Sequence, residues 1–465
     1  RGHRSGGPRP GSAPVKLTVL GAGIRTPLLL SGLARRAESL GLDEVVLHDC
    51  DKGRLQTMAA FGGGLCDEWG APFHVRAEED AEAAIEGADF VFSAIRVGGE
   101  AGRIIDEEVP LRYGIIGQET TGPGGFAMAL RTIPVMIDYA RTIERVAPHA
   151  WLINFTNPAG LITQALENHT DVKVIGICDT PTAMKRTIAR VLEVPGDTVA
   201  LDYFGLNHLG WVRRVTIDGA DRLPELLDRF EELRTGGAEW APFDPGLVRD
   251  IGMLPNEYLY YFYYREEALE HIRASGGTRA QQLATLNRPV WKELSRGAAS
   301  GDWAQARAAY ELAMSTRHST YMARESGRGD SDARSDAELF EGEGYEGLAM
   351  AVMASIRTRA GVPLIVNVPA NGAVAGFADD VLELPCLVGE HGATPLAVGA
   401  VPSIARALME PVKTYERLTV EAAVDGSYSA ATQALVAHPL VGSYRLATAM
   451  LDEYLSRHGL TGFNP

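Results

Sequence analysis

The chain has 465 residues, 46% of them apolar and 22% charged, which is material for two or three packed domains and excludes disorder as its main state. Lys and Arg total 44 against 60 Asp and Glu, a net charge of −16, and so acidic a surface repels phosphate backbones and excludes nucleic acid as an expected partner. No apolar run reaches the length of a membrane-spanning helix, so no membrane partner is expected, and four scattered cysteines without a CxxC pair fit a reducing, cytoplasmic setting.

Residues 1–14 are basic and rich in Gly and Pro and are expected to form a disordered tail. Lys16 to Leu20 is a short β-branched run that ends at Gly21-Ala22-Gly23. A helix is expected from Thr26 to Leu40, then a strand over Glu44 to Leu47 closed by His48-Asp49. Strand, glycine turn, helix, strand and acid follow in the order of a mononucleotide-binding half. Further strands are expected at 88–94, 151–155 and 172–177, with helices between them such as 127–146. This alternation predicts an α/β fold, a Rossmann-like doubly wound parallel sheet over residues 15–202.

Residues 203–465 read as a second α/β domain. Glu257 to Ala268 is expected to be one helix carrying five tyrosines, and Ala280 to Arg317 another helical stretch. Glu325 to Glu338 is polar and small and reads as a surface loop. Residues 363–367 and 381–388 are expected strands, and helices from about Ala405 finish the chain.

Four sets of residues carry chemistry. The Gly21-Ala22-Gly23 turn offers backbone N–H groups to a pyrophosphate, and Asp49 stands where a carboxylate accepts from ribose hydroxyls, favouring NAD over NADP. Thr26 occupies the place of the third glycine. Three polar spots follow expected strands: Asn154 to Pro158, Gly176 to Pro181 and Gly205 to Gly210. In an open α/β sheet such positions face the ligand crevice. Cys178 and His208 within them form a soft pair suited to a transition metal that leaves coordination positions for substrate. Singly, each has a plainer reading as a core thiol or a structural imidazole. A tyrosine of the 256–264 segment can serve as a base only where nearby positive charge lowers its pKa from about 10. Arg96 and Arg279 sit on candidate crevice loops and suit phosphate or sulfonate oxygens, or else are surface arginines in ion pairs.

The stretches RYGIIGQETTGPGGFAMAL (112–130), NFTNPAG (154–160), GICDTP (176–181), GLNHLG (205–210), NEYLYY (256–261), YERLTV (415–420) and His438-Pro439 together resemble the NAD- and manganese-dependent glycosidases of glycoside hydrolase family 4, closest to its 6-phospho-β-glucosidases. The resemblance implies a C-terminal domain like that of lactate and malate dehydrogenases, which binds substrate and metal and carries the interface of a homodimer or homotetramer. It implies that Cys178 and His208 hold Mn²⁺ or another divalent metal, with the sugar's O2 and O3 completing the sphere. NAD then oxidises C3, Tyr258 removes the acidified C2 proton, and the aglycone leaves by elimination. Water adds and the hydride returns. Asp179 is implied as the acid that assists the leaving group. Gly21, Gly23, Ile24, Asp49, Arg54 and Asn154 are the implied cofactor-binding set; Arg96, Asn157 and Arg279 line the substrate site, with Arg279 on the 6-phosphate. The Gln118 to Gly122 loop covers nicotinamide and sugar.

The chain departs from this pattern in three places. Gly23-Ile24-Arg25-Thr26-Pro27 replaces the hydroxyl-bearing first turn, where Arg25 offers a different anion contact. Asp179 follows the metal cysteine where β-acting relatives often have Asn, and Pro369 stands where they commonly carry Arg. Alternatives therefore stay open: a 6-sulfonated or α-linked glycoside, an NAD-dependent 2-hydroxyacid dehydrogenase, or a non-catalytic NAD sensor.

Overall fold

The computed structural model describes residues 14–237, 239–327 and 344–463. All but the last residue of the expected tail, and residues 328–338 of the expected polar loop, lie outside them.

Six strands come first: β1 (Val15–Leu20), β2 (Leu42–His48), β3 (His74–Ala77), β4 (Phe90–Ser93), β5 (Trp151–Asn154) and β6 (Lys173–Gly176). They pair in parallel, in the order β6-β5-β4-β1-β2-β3. Helices cover both faces, so the central strands are buried runs such as VKLTVL and FVFS rather than alternating ones. The first helix spans Thr26–Leu40, within the bounds its apolar periodicity predicts. This is the Rossmann-like sheet expected from the alternation of elements.

Four strands form a second, antiparallel sheet: β7 (Ala200–Leu206), β8 (Leu209–Ile217), β9 (Ala220–Asp221) and β10 (Leu254–Pro255). β7 and β8 are a hairpin whose connection is only Asn207-His208. Strands β11 (Val362–Pro369), β12 (Val381–Gly389) and β13 (Gly392–Pro395) then return to the first sheet. β11 lies antiparallel to β6 through Asn367 and Gly176. Among the described residues that sheet therefore has nine strands, and residues 362–395 continue what residues 15–176 begin.

Two expected helices are broken. The tyrosine segment is a 3-10 turn (Glu257–Leu259), a short helix (Tyr260–Tyr263) and a second helix (Arg265–Ala274). The Asn256 side chain caps the turn by accepting from the Tyr258 N–H, and Tyr264 leaves helical geometry at φ −132°. The stretch after residue 278 divides into Arg279–Ser300 and Ala304–Ser319, because Gly301 takes a left-handed conformation at φ +76°. The last helix, Tyr444–His458, is tied down by a buried network: Asp106 accepts from both terminal nitrogens of Arg131 at 2.7 Å and faces His458 at 2.9 Å. No helix among the described residues is long and apolar enough to cross a membrane.

Candidate active site

The crevice lies at the carboxyl ends of the parallel strands. Gly21 leaves β1 at φ +103°, and a Cβ there would stand 2.8 Å from the Ala94 carbonyl oxygen, so glycine is required by the fold itself. Gly23 differs. It is exposed, and a Cβ there would meet nothing within 4 Å. No side chain caps the helix that follows. Open space in front of an uncapped helix N-terminus fits a dinucleotide pyrophosphate. Ile24 is half-buried against the core edge. Asp49 accepts from the N–H groups of Ala22 and Asp51, each at 2.9 Å, which shapes the turn and leaves a second lone pair on each oxygen.

Arg54, in the first turn of the helix Lys52–Glu68, pairs with Asp51 at 3.3 Å and lies 5.0 Å over the Trp291 ring. With Glu100, Ala284, Arg288 and Ser295 these residues line a pocket at the β2 side of the crevice. Asn154 sits deeper. Its carbonyl accepts from Ser93 and Thr156, and its amide donates to Ala159 and Thr163. Four contacts fill an amide's capacity, so this buried side chain organises the strand end rather than reaching outward.

Cys178 is a buried free thiol two residues beyond β6. Burial, then the nearby Glu383 and Asp179 carboxylates, push its pKa well above the usual thiol value. A cation beside it is what makes the thiolate available. His208 turns the β7–β8 hairpin at φ +64°, a left-handed conformation uncommon outside glycine. Its pKa falls to about 3 because burial disfavours the charged ring, and neither ring nitrogen has a hydrogen-bond partner among the described residues. A neutral imidazole with open nitrogens, like a buried thiol, fits a metal ion. No three His, Cys, Asp or Glu side chains form a metal cage among the described residues.

Tyr258 stacks on His208, ring centroids 3.8 Å apart and planes within 11°. Burial, and the charges of Glu257 and Cys178, raise its pKa well above that of a free phenol. Glu257 is itself buried and pushed up to about 8 by that burial and by Glu239. Glu119, on the Gln118–Gly122 loop, connects this centre to a crowd of arginines. Arg96 reaches it at 2.7 Å and Arg103 at 3.0 Å. Burial alone would raise its pKa; Arg103, Arg96 and Arg317 instead hold it at about 2. Its charge is felt at both His208 and Tyr258.

Arg279 begins the helix after the Thr278 capping box and donates to Thr320 and to the Arg317 carbonyl, both at 2.7 Å. Arg317 is lowered to about 9 by burial and by the neighbouring Arg25 and Arg103. Four arginines thus share the Glu119 and Glu107 carboxylates, and Arg25 adds a fifth charge while stacking 4.1 Å over Tyr345. Glu325, expected on a surface loop, is instead buried facing Arg279 and Arg103. Asn157 is half-buried at the end of β5, where its side chain accepts from the Ala159 N–H at 3.3 Å.

The chain matches the model of the family 4 glycosyl hydrolases over residues 16–194 and that of their C-terminal domain over residues 203–441. It belongs to that family. A probable 6-phospho-β-glucosidase of Bacillus subtilis is 33% identical, over 96% of each chain. A phospho-α-glucosidase of Clostridium acetobutylicum is 29% identical, over 94% of this chain and 96% of the relative. The Thermotoga maritima 6-phospho-β-glucosidase, solved with manganese, NAD⁺ and glucose-6-phosphate, superposes with a TM-score of 0.79 at 29% identity and covers 95% of this chain and 98% of that one. The fold is shared with malate dehydrogenase of Plasmodium falciparum, TM-score 0.52 at 13% identity over 88% and 99% of the two chains.

The crevice of this family 4 glycosyl hydrolase holds residues that its sequence does not advertise. Arg103, Arg317, Tyr321 and Trp291 come from ordinary-looking helices or turns and reach the crevice only by tertiary packing. Glu383 has a weak signal: an acid in the middle of the apolar run VLELPCLV. It is buried, accepts from Tyr203 at 2.6 Å and from Asn207 and Asn367 at 3.2 Å, and so braces the turn that carries His208.

Proposed function

We propose that this hydrolase cleaves a glucoside bearing a 6-phosphate, β-linked as the first choice, with NAD and a divalent metal, by elimination at the sugar ring. The observation that carries the proposal is the meeting of two unlike features. A phenol stacks on an imidazole within electrostatic reach of a buried thiol, and Arg96, Arg103 and Arg317 crowd one carboxylate, Glu119, whose charge reaches both rings.

When bound, NAD would supply a reversible hydride acceptor for C3 and the metal a Lewis acid for the sugar oxygens, which together would make the C2 proton removable. Cys178 and His208 would hold the ion. Tyr258 receives the C2 proton at its phenol oxygen. Asp179, beside Cys178 at the start of the helix Thr180–Val191, donates to the departing oxygen. Arg279 and Arg317 fix the anion, while Arg96 and Asn157 orient the ring. Gly21, Gly23, Ile24, Asp49 and Arg54 take the cofactor, and Asn154 holds the turn beneath it. The family's α-acting relatives and Asp179 support a second reading, an α-linked substrate.

The test is release of p-nitrophenol from α- and β-glucosides with a 6-OH, 6-phosphate or 6-sulfonate, in reductant, with NAD⁺ or Mn²⁺ omitted in turn. The proposal expects the 6-phospho-β-glucoside to lead, only with both additions, and without net NADH. Cleavage indifferent to NAD⁺ would exclude it.

Two further outcomes are expected. Arg279→Ala is expected to lower kcat/KM for the 6-phosphoglucoside by about 10–100-fold, the loss of one charge-assisted hydrogen bond, and to affect the 6-OH glucoside less. Trp291→Ala weakens NAD⁺ about tenfold in calorimetric titration, because the Arg54–Trp291 pocket takes the adenine and stacking contributes on the order of 1–3 kcal/mol.

A further inference from the structure

Tyr321 follows the helix Ala304–Ser319 by two residues and belongs to no motif. Its hydroxyl lies 3.2 Å from the Tyr258 hydroxyl and 3.3 Å from Oε1 of Glu257. The same Glu257 oxygen accepts from Thr180 Oγ1 at 2.9 Å. We infer that Tyr321 is a positioning residue for the reaction, a hydrogen-bond donor that holds the Tyr258 oxygen ready to receive the C2 proton. The inference rests on Tyr258 being the base.

The stack on His208 and the Asn256 cap fix the plane and the root of the Tyr258 ring. Neither touches its oxygen. Among the described residues Tyr321 is the neighbour that does, and it has one hydrogen for two acceptors. While Tyr258 lacks its proton, Tyr321 donates to the Tyr258 oxygen, which strengthens as a charge-assisted bond. After the C2 proton arrives, the Tyr258 O–H donates to Tyr321 and the Tyr321 hydrogen turns to Glu257. The Tyr258 and Tyr321 hydroxyl hydrogens each have an acceptor in both states, and only the C2 proton changes owner. Two hydroxyl rotations thus replace any movement of the rings.

The experiment compares Tyr321→Phe with wild type in a 6-phospho-β-glucoside reaction with NAD⁺ and Mn²⁺. Stopped-flow absorbance reads NADH formation, the C3 step. Deuterium uptake from D₂O at C2 of the sugar reads the Tyr258 step. Electron paramagnetic resonance reads Mn²⁺ affinity, which should not change. The expected result is C2 exchange about 10–100-fold slower with NADH formation as fast as in wild type. Unchanged C2 exchange, or equal slowing of both steps, would overturn the inference. Tyr258→Phe is run alongside. If it retains C2 exchange, the base assignment itself fails; if it loses exchange while Tyr321→Phe does not, only the role of Tyr321 fails.

Discussion

Cys178→Ser and His208→Gly are each expected to lower metal-supported glycoside cleavage by about a thousandfold, the scale of several kcal/mol of lost charge stabilisation, with NAD⁺ affinity unchanged. Mn²⁺ titration of the purified variants measures the cause directly. Serine keeps the shape of the cysteine side chain but offers a hard, protonated hydroxyl in place of a thiolate. Glycine is the informative choice at residue 208. His208 holds φ +64° in the two-residue turn between β7 and β8, and a left-handed side-chain residue costs roughly 1–2 kcal/mol that glycine does not. Relief of that strain offsets the lost stack on Tyr258, so the variant should stay folded and the loss can be assigned to the imidazole. An imidazole kept in an unfavourable backbone conformation is also what a functional constraint on residue 208 leads one to expect. Unchanged Mn²⁺ affinity in both variants would remove the metal assignment.

Tyr258→Phe is expected to lower kcat by about 10²–10⁴-fold, the usual contribution of a general base, with KM and Mn²⁺ affinity nearly unchanged. The expected split follows from the geometry. Phenylalanine keeps the ring that stacks 3.8 Å from His208 and removes only the oxygen. In the surroundings seen here the phenol is a weaker acid than in water, through burial and the charges of Glu257 and Cys178. On the proposed mechanism it would become a usable base only with a cation bound at Cys178 and His208. Base function and metal binding should therefore fail together when the metal is chelated, and separate in the Tyr258→Phe variant. A steady-state comparison of kcat and KM with and without chelator reads both.

The parallel sheet was legible because its strands are buried on both faces and read as short apolar runs, each followed by a turn and a helix. The turn that Gly21 and Asp49 shape was legible too, as a glycine and an acid just past two strand ends. Cys178 and His208 stand out as polar spots after expected strands, although nothing local pairs them. What the sequence hid depends on packing between distant segments. β11 meets β6 through Asn367 and Gly176, a contact that neither segment's pattern encodes. Arg317 and Trp291 lie on helices with ordinary amphipathic spacing, and only the fold brings them to the crevice. The tyrosine run reads as one helix because aromatic spacing cannot show that the Asn256 cap and the Tyr264 backbone divide it. Asn154 shows the opposite limit: its motif marks a site, yet its amide is fully occupied within the strand end.

In the proposed reaction this family 4 hydrolase breaks its glycosidic bond by removing the sugar's C2 proton. The most direct measurement is to run the cleavage of a 6-phospho-β-glucoside in D₂O with NAD⁺ and Mn²⁺ and to read the product by proton NMR. The expected product is a sugar 6-phosphate that carries solvent deuterium at C2 but not at C3, with no accumulated NADH. A product formed at the same rate with its C2 hydrogen intact would contradict it.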